Sequence, residues 1–427
     1  MELLILFATL ITLLVIGVPV AFALGLASLA TMTYLDIPLV VAFQRMAAGM
    51  NIFALMAIPF FIYAGELMNQ SGIAERLVKF AHSLLARVRG GLGLVNVSSS
   101  MMFGAISGSA VASASAMGST LIPMMKKQDY DADYAVNVTA TAATTGLLIP
   151  PSHNMIIYAV AAGGGVSIGS LFLAGIVPGI LLGLGLMIVT YMLAVKRGYS
   201  KGEFPGWRQV LGHFANALPG LFTVFIILGG ILSGVFTATE SSAIAVIYTV
   251  FVAVFVYRSL DWKGFITASI NAVKTTAMIL LIIGTAASFG WLLAVTEVPA
   301  QLSAALLAIS DNPLVILLIV NLVLLMLGTF MDMSPLIVIT TPIFLPVMVA
   351  IGMDPSQFGI MLILNLGLGL VTPPVGTVLF VSCAVGGIRI EDTLRSIWPF
   401  YLVFIAVLAL VTYFPSTTLF LPNLFNQ

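Results

Sequence analysis

Apolar positions run through this chain in long stretches that polar residues interrupt only briefly, and a run of ~20 is enough to cross ~30 Å of hydrocarbon as a helix. By that measure full crossings are expected near residues 3–18, 20–35, 52–70, 132–165, 168–195, 214–235, 241–257, 276–295, 357–388 and 396–415. Two further apolar stretches, 92–125 and 313–347, are broken by small, polar or helix-stopping residues. The breaks are Gly104-Ala105-Ile106-Ser107-Gly108-Ser109 and Gly328-Thr329-Phe330-Met331-Asp332-Met333-Ser334-Pro335. An arm of about 15 residues rises only ~22 Å, too little to cross. Both stretches are therefore expected to be re-entrant helical hairpins with tips near mid-membrane. Ile73, Leu77, Phe80, Leu84 and Val88 recur at helical spacing, with Arg76, Lys79 and Arg87 elsewhere on the wheel. That segment is expected to lie flat at the cytoplasmic interface, either anchoring the hairpin that follows or bracing it.

Composition supports the same class. Of 427 residues 60% are hydrophobic and 7% charged, with a mean hydropathy of +1.16, whereas a soluble domain carries about 25% charged residues. The excess apolar area must face lipid, which makes the chain an all-α polytopic membrane protein. Sixteen Lys and Arg balance sixteen Asp and Glu, leaving no basic excess for nucleic acid. The lone Cys383 can form no internal disulfide, and no Cys/His group has metal-ligand spacing. No Lys or Arg precedes Arg45, so residues 3–35 lack the positive start of a cleavable signal peptide and are expected to stay as structure. No phosphate-gripping G-x-x-x-x-G-K-[ST] loop or H-E-x-x-H is present, and with the N-terminus outside every Lys lies at the cytoplasmic edge, far from the hairpin serines, which argues against an ATP-driven pump and an intramembrane enzyme. Energy for transport would come from an ion gradient or another subunit.

Alternating the spans from an outside N-terminus places fifteen of the sixteen Lys and Arg inside, with only Arg45 outside. The order of elements then occurs twice: two spans, a connector, a third span, an arm, a hairpin, a span broken at Pro-Pro and a closing span. Five crossings per half is an odd number, so the second half is expected upside down. An ungapped offset of 223 superposes Pro123, Met125, Asp131, Gly146, Leu147, Pro150 and Pro151 on Pro346, Met348, Asp354, Gly369, Leu370, Pro373 and Pro374. The expected organisation is a first inverted repeat over 1–200, a cytoplasmic linker over 201–211 and a second inverted repeat over 212–427.

Gly146-Leu147-Leu148-Ile149-Pro150-Pro151-Ser152-His153-Asn154 must split its helix, because proline lacks an N–H and disfavours helix in the residue before it. Gly369-Leu370-Val371-Thr372-Pro373-Pro374-Val375-Gly376-Thr377 offers the same break in the other half. At membrane depth such backbone persists only where protein or a wet cavity surrounds it. Freed carbonyls suit a bare cation, and a new helix N-terminus suits a carboxylate. Two broken helices facing two hairpin tips would make a midplane site. A lone acid such as Asp332 costs about 2.5–3.5 kcal/mol at the bilayer centre. Three roles are open to it: coordinating Na+, carrying a proton, or capping a helix. The first hairpin offers only hydroxyls, from Ser107, Ser109, Ser113 and Ser115, and each also serves as a small packing residue. His153 and Asn154 are placed either to bond substrate or to be satisfied by neighbouring carbonyls. Thr237-Ala238-Thr239-Glu240 has the spacing of a capping box, a structural role for Glu240.

Together these elements resemble the large membrane subunit, of the DctM type, of the tripartite ATP-independent periplasmic (TRAP) transporters, over essentially the whole chain. The segments that carry the likeness are Phe103 to Ser109, Leu148 to Ser152, Gly328 to Asp332 and Val371 to Gly376. The resemblance implies Na+-coupled import of a small carboxylate across the bacterial inner membrane by an elevator motion. It implies two partners, a soluble periplasmic binding protein and a separate small four-helix membrane subunit. Carried over by position, one ion site involves Ser107, Gly108, Ser109, Gly146 and Pro150, and the other Gly328, Thr329, Asp332, Thr372, Pro373 and Gly376. Substrate would lie between them, near Ser109, Ser152, His153, Asn154 and Thr377. Sialic acid and C4-dicarboxylates both fit the family. The rival reading is a stand-alone sodium/carboxylate symporter of related inverted-repeat build that needs no binding protein.

Overall fold

The computed structural model describes residues 1–310 and 312–425. Helices α1 (Glu2–Val15) and α2 (Val20–Tyr34) pack on each other. Helix α3 (Val40–Met50), a helix where the sequence suggested only a connector, bends by 64° into the segment that ends as α4 (Ala57–Gln70). The bend falls at Asn51 and Ile52, where Ile52 takes extended backbone with φ −114° and ψ 121°. Next come α5 (Ile73–Leu85), α6 (Gly91–Ser107), α7 (Ala110–Lys126), α8 (Ala132–Ala143), α9 (His153–Ala161) and α10 (Ile168–Lys196).

The second half supplies α11 (Trp207–Leu232), α12 (Ala238–Phe251), α13 (Trp262–Val295), α14 (Val298–Ile309), α15 (Pro313–Phe330) and α16 (Met333–Ala350). It closes with α17 (Pro355–Gly369), α18 (Thr377–Gly386), α19 (Ile390–Tyr413) and α20 (Ser416–Leu424). Helix α13 follows two helices of the second half, as the α3–α4 pair follows α1 and α2. It runs unbroken for 34 residues, and no proline interrupts it. The expected capping box is present: Glu240 Oε2 accepts from Thr237 N at 2.8 Å, and Thr237 Oγ1 accepts from Glu240 N at 3.2 Å.

Among the described residues seven helices are long and apolar enough to cross a membrane, eight if the bent α3–α4 pair is one span. Six of these eight were among the ten expected crossings and two, α15 and α16, were expected as hairpin arms; of the other four expected crossings, 132–165 and 357–388 are divided by breaks, and α1 and α2 hold only 14 and 15 residues. The hairpin arms are longer than expected, 17 residues each in α6 and α7 and 18 each in α15 and α16. α15 and α16 are two of the seven: at 1.5 Å per residue each rises about 27 Å, so length alone no longer excludes a crossing as it did for the arms of about 15 residues expected from the sequence.

Of the two roles open to α5, bracing the hairpin is the one its packing favours. The apolar stripe of α5 does not face lipid: Ile73, Leu77 and Phe80 are buried against α6 and α11, in a cluster with Val95, Phe103 and Ala217. Phe80 and Phe214 bring their rings to 5.3 Å. The stripe is wide enough to fill a protein groove, which removes apolar area from water as effectively as lipid does.

Two helices sit at the centre. Every residue of α8 from Tyr134 to Ala143, and of α17 from Ser356 to Gly369, is buried. A helix enclosed on all faces needs partners for its polar side chains. Asn137 Nδ2 donates to the Thr393 carbonyl at 3.1 Å, and Gln357 Nε2 donates to the Val411 carbonyl at 2.9 Å, so α19 holds both. At its start α8 is tied to the end of α10. Arg197 pairs with Asp131 at 2.8 Å and with both oxygens of Asp133 at 2.9 Å. Burial first, then its bond to Asp131, pushes the Tyr199 hydroxyl up to about 12, so it remains a donor at neutral pH. Arg197→Leu is expected to cost about 1–2 kcal/mol, the half-open setting reducing the full charged-bond value. Thermal unfolding in detergent checks this, with Lys196→Gln expected to leave the midpoint unchanged.

Candidate functional site

The first hairpin turns at Gly108, whose φ of 63° places it in the left-handed region that glycine enters without strain. Ser109 then caps α7, its Oγ accepting from Ala112 N at 3.3 Å. This tip lies on the break between α8 and α9. A Cβ added to Gly104 would sit 2.5 Å from the Cα of Gly146, and one added to Gly146 would meet the carbonyl carbon of Gly104 at 2.7 Å. Only a pair of glycines permits backbones this close. Beside it, a Cβ on Gly108 would lie 3.1 Å from His153 Nδ1 and 3.3 Å from the Pro151 carbonyl oxygen. Pro150 and Pro151 are buried and joined by a cis bond. The hydroxyls of Ser107, Ser113 and Ser152 are buried without a hydrogen-bond partner.

The second hairpin repeats the arrangement. It turns at Met331 and Asp332, and its end rests on the break between α17 and α18. A Cβ on Gly369 would fall 2.5 Å from the Gly328 carbonyl carbon. The Thr329 carbonyl accepts from Val375 N at 3.2 Å, joining tip to break by backbone. Gly376 enters the left-handed region with φ 45° and folds over the Thr372 carbonyl, 3.0 Å from where a Cβ would stand. Tyr401 donates its hydroxyl to the Val371 carbonyl at 2.6 Å, satisfying one acceptor that the break frees. Thr329 and Thr372 spend their hydroxyl protons on Met326 and Leu368 carbonyls, so these residues offer a cation backbone and lone pairs. Thr377 keeps a buried hydroxyl with no partner. Asp332 occupies the N-cap position of α16, yet its carboxylate makes no capping bond and the residue is exposed. Pro374 and Val375 are exposed too, so the second junction is the more open one.

The halves meet crosswise. Helix α16 of the second hairpin packs on α9, where Ser334 Oγ donates to Asn154 Oδ1 at 3.4 Å. Helix α18 packs along α7 of the first hairpin. One turn beyond Asn154 and Ser334, Ile157 and Val338 line a cavity of about 170 Å³ whose other wall holds Gly49, Ala287 and Gly290.

The structure therefore brings Ser107, Gly108, Gly146, Pro150, Ser152, His153 and Asn154 together at one junction, and Gly328, Thr329, Thr372, Pro373 and Gly376 at the other. Three residues were missed as site members. Gly104 and Gly369 complete the glycine pairs whose other members, Gly146 and Gly328, sequence reasoning had marked. The 223-residue offset pairs Gly146 with Gly369 and was the available signal. Ser334, the partner of Asn154, stands in the polar break that follows Asp332, and that was its signal.

The family model described as "Tripartite ATP-independent periplasmic transporter, DctM component" matches residues 7–417. The chain belongs to this family. It is 41% identical over 410 residues to the sialic acid TRAP transporter large permease protein SiaM of Vibrio cholerae, covering 96% of each. It is 37% identical over 440 residues to the C4-dicarboxylate TRAP transporter large permease protein DctM of Rhodobacter capsulatus, covering 100% of each. Among solved structures the YdaH transporter of Alcanivorax borkumensis shares the fold, with a TM-score of 0.58 at 15% identity, covering 90% of this chain and 88% of that one. The DctM-type chain is thus a TRAP large permease subunit, a transporter component and not an enzyme, and a multi-pass inner-membrane protein. Large permease subunits of this family work with a small membrane subunit and a periplasmic binding protein.

The glycine pairs make a sharp prediction. Gly146→Ala and Gly369→Ala each force two backbones apart, with an expected cost of about 1–3 kcal/mol. Gly229→Ala, where an added Cβ meets nothing within 4 Å, is expected to be neutral. Melting temperatures of the three purified variants decide it.

Proposed function

We propose that this subunit imports a small organic acid together with Na+, taking substrate from a periplasmic binding protein and acting as a heterodimer with a small four-helix membrane subunit. The observation that carries this reading is the double junction: each hairpin tip closes on a broken helix through a glycine pair, surrounded by hydroxyls and carbonyls, with the Asp332 carboxylate added at the second. Carbonyl and hydroxyl oxygens at a break match the hard-cation chemistry of Na+. One ion would be held by Ser107, Gly108, Ser109, Gly146 and Pro150, the other by Gly328, Thr329, Asp332, Thr372, Pro373 and Gly376. The unbonded Asp332 carboxylate supplies the negative charge that the second site needs, and its cost at membrane depth is offset only when a cation is bound.

Substrate would be read by Ser152, His153, Asn154 and Thr377, with Ser109 at the edge. Ser152 and Thr377 each have a buried hydroxyl awaiting a partner, and the first turns of α9 and α18 present N–H groups suited to a carboxylate. Sialic acid and C4-dicarboxylates, named for two relatives of this chain, are the substrates to try first. The two element series, residues 1–200 and 212–427 about a linker at 201–211, would act as inverted repeats. Their tips and breaks would then move together against the remaining spans as an elevator.

The test is reconstitution in liposomes. Uptake of labelled sialic acid or succinate is expected only with an inward Na+ gradient, the small subunit and a cognate binding protein. Uptake by this chain alone would favour the stand-alone symporter. In the complete system Asp332→Asn is expected to abolish Na+-dependent uptake while assembly with the small subunit persists. Normal sodium dependence in that variant would remove Asp332 from the ion site.

A further inference from the structure

A second polar recess lies far along the chain from the tips, between α5 and α11. Glu75, Arg76 and Lys79 line one wall, and His213 and Asn216 the other, around about 290 Å³. That is many times the ~30 Å³ share of one water in the liquid. Sequence topology places this recess on the cytoplasmic side, with Arg76 and Lys79 among the inside charges.

Its side chains are set for an anion. Arg76 is held in place: Nη1 donates to the Ser71 and Gly72 carbonyls at 3.1 and 3.0 Å, and the guanidinium carbon lies 3.8 Å from the centre of the Tyr257 ring. These bonds use one nitrogen, and no carboxylate among the described residues pairs with the group. Lys79 meets Glu75 at 2.7 Å, so two cations face one carboxylate. His213 adds an independent sign, because its Nδ1 is buried with no hydrogen-bond partner. A buried polar atom left unpaired is costly unless something fills the place beside it.

The surroundings indicate where the anion comes from. Beside the recess α11 exposes Leu211, Phe214 and Leu218, apolar surface of the kind that acyl chains cover. A basic pocket at the cytoplasmic ends of membrane helices, next to a lipid-facing apolar strip, has the form of a headgroup site. We propose that the recess binds a phosphate-bearing anion of the kind carried by anionic phospholipid headgroups, held by Arg76, Lys79 and His213. The bound group would clamp the α5 arm onto α11 and so steady the helix that leads into the first hairpin.

Thermal unfolding of the full chain in nanodiscs tests this independently of transport. Three conditions are compared: phosphatidylcholine alone, phosphatidylcholine with phosphatidylglycerol, and phosphatidylcholine with added inorganic phosphate. Phosphatidylglycerol is expected to raise the unfolding midpoint. Lys79→Gln and His213→Asn should each lose about half or more of that rise, while the distant Lys196→Gln keeps it. Lys79 is exposed, so its replacement leaves the fold intact. A rise with inorganic phosphate that depends on the same two residues would support the site and assign it to free phosphate. No rise in either arm, or an undiminished rise in both recess variants, would overturn it.

Discussion

An interrupted helix inside a membrane must hide its unpaired backbone, and in this chain hiding it is the work of four interruptions that cover one another in pairs. The hairpin turn at Gly108 closes on the Pro150-Pro151 break, and the turn at Asp332 lies beside the Pro373-Pro374 break. Each closure depends on a glycine meeting a glycine, Gly104 with Gly146 and Gly328 with Gly369, where an added methyl would stand 2.5 Å from the opposing backbone. Two breaks facing lipid separately would each strand several carbonyls at a cost of several kcal/mol per group. Packed together they exclude lipid and leave a small number of oxygens free for a guest.

The two junctions differ in chemistry as they agree in geometry. The first is enclosed and neutral, lined by serines and by His153, with both prolines buried. The second is open at Pro374 and Val375 and carries the carboxylate of Asp332. A neutral cage holds a cation by dipoles, whereas a cage with a carboxylate binds it by charge as well. The central helices α8 and α17 run into these junctions. Both are enclosed beyond their first residues and both are pinned to α19 through Asn137 and Gln357, so one helix supports the two junctions.

Much of this was legible in the sequence because chain breaks are local. Proline cannot donate, glycine tolerates the left-handed region, and a polar run inside an apolar stretch cannot continue a buried helix, so the turns at Gly108 and Asp332 and both Pro-Pro breaks could be read directly. The capping box at Thr237 and Glu240 is local in the same sense. What depends on three-dimensional packing was hidden. A helical stripe such as Ile73, Leu77 and Phe80 looks alike whether lipid or protein covers it, and here α6 and α11 do. That α3 would bend into α4 at Asn51 and Ile52 while α13 runs straight was announced by no proline or glycine at those two positions. Gly104 and Gly369 looked like ordinary small residues until their partners were in place.

Hydrogen exchange measured by mass spectrometry on the purified complex, in sodium and in an equal concentration of choline, tests the central claim most directly. If the junctions are the cation sites, sodium slows exchange in peptides covering 104–109, 146–154, 328–332 and 369–377, and leaves α11 and α12 unaffected. Identical exchange in the two salts across all four segments, or a change confined to other helices, would contradict the account.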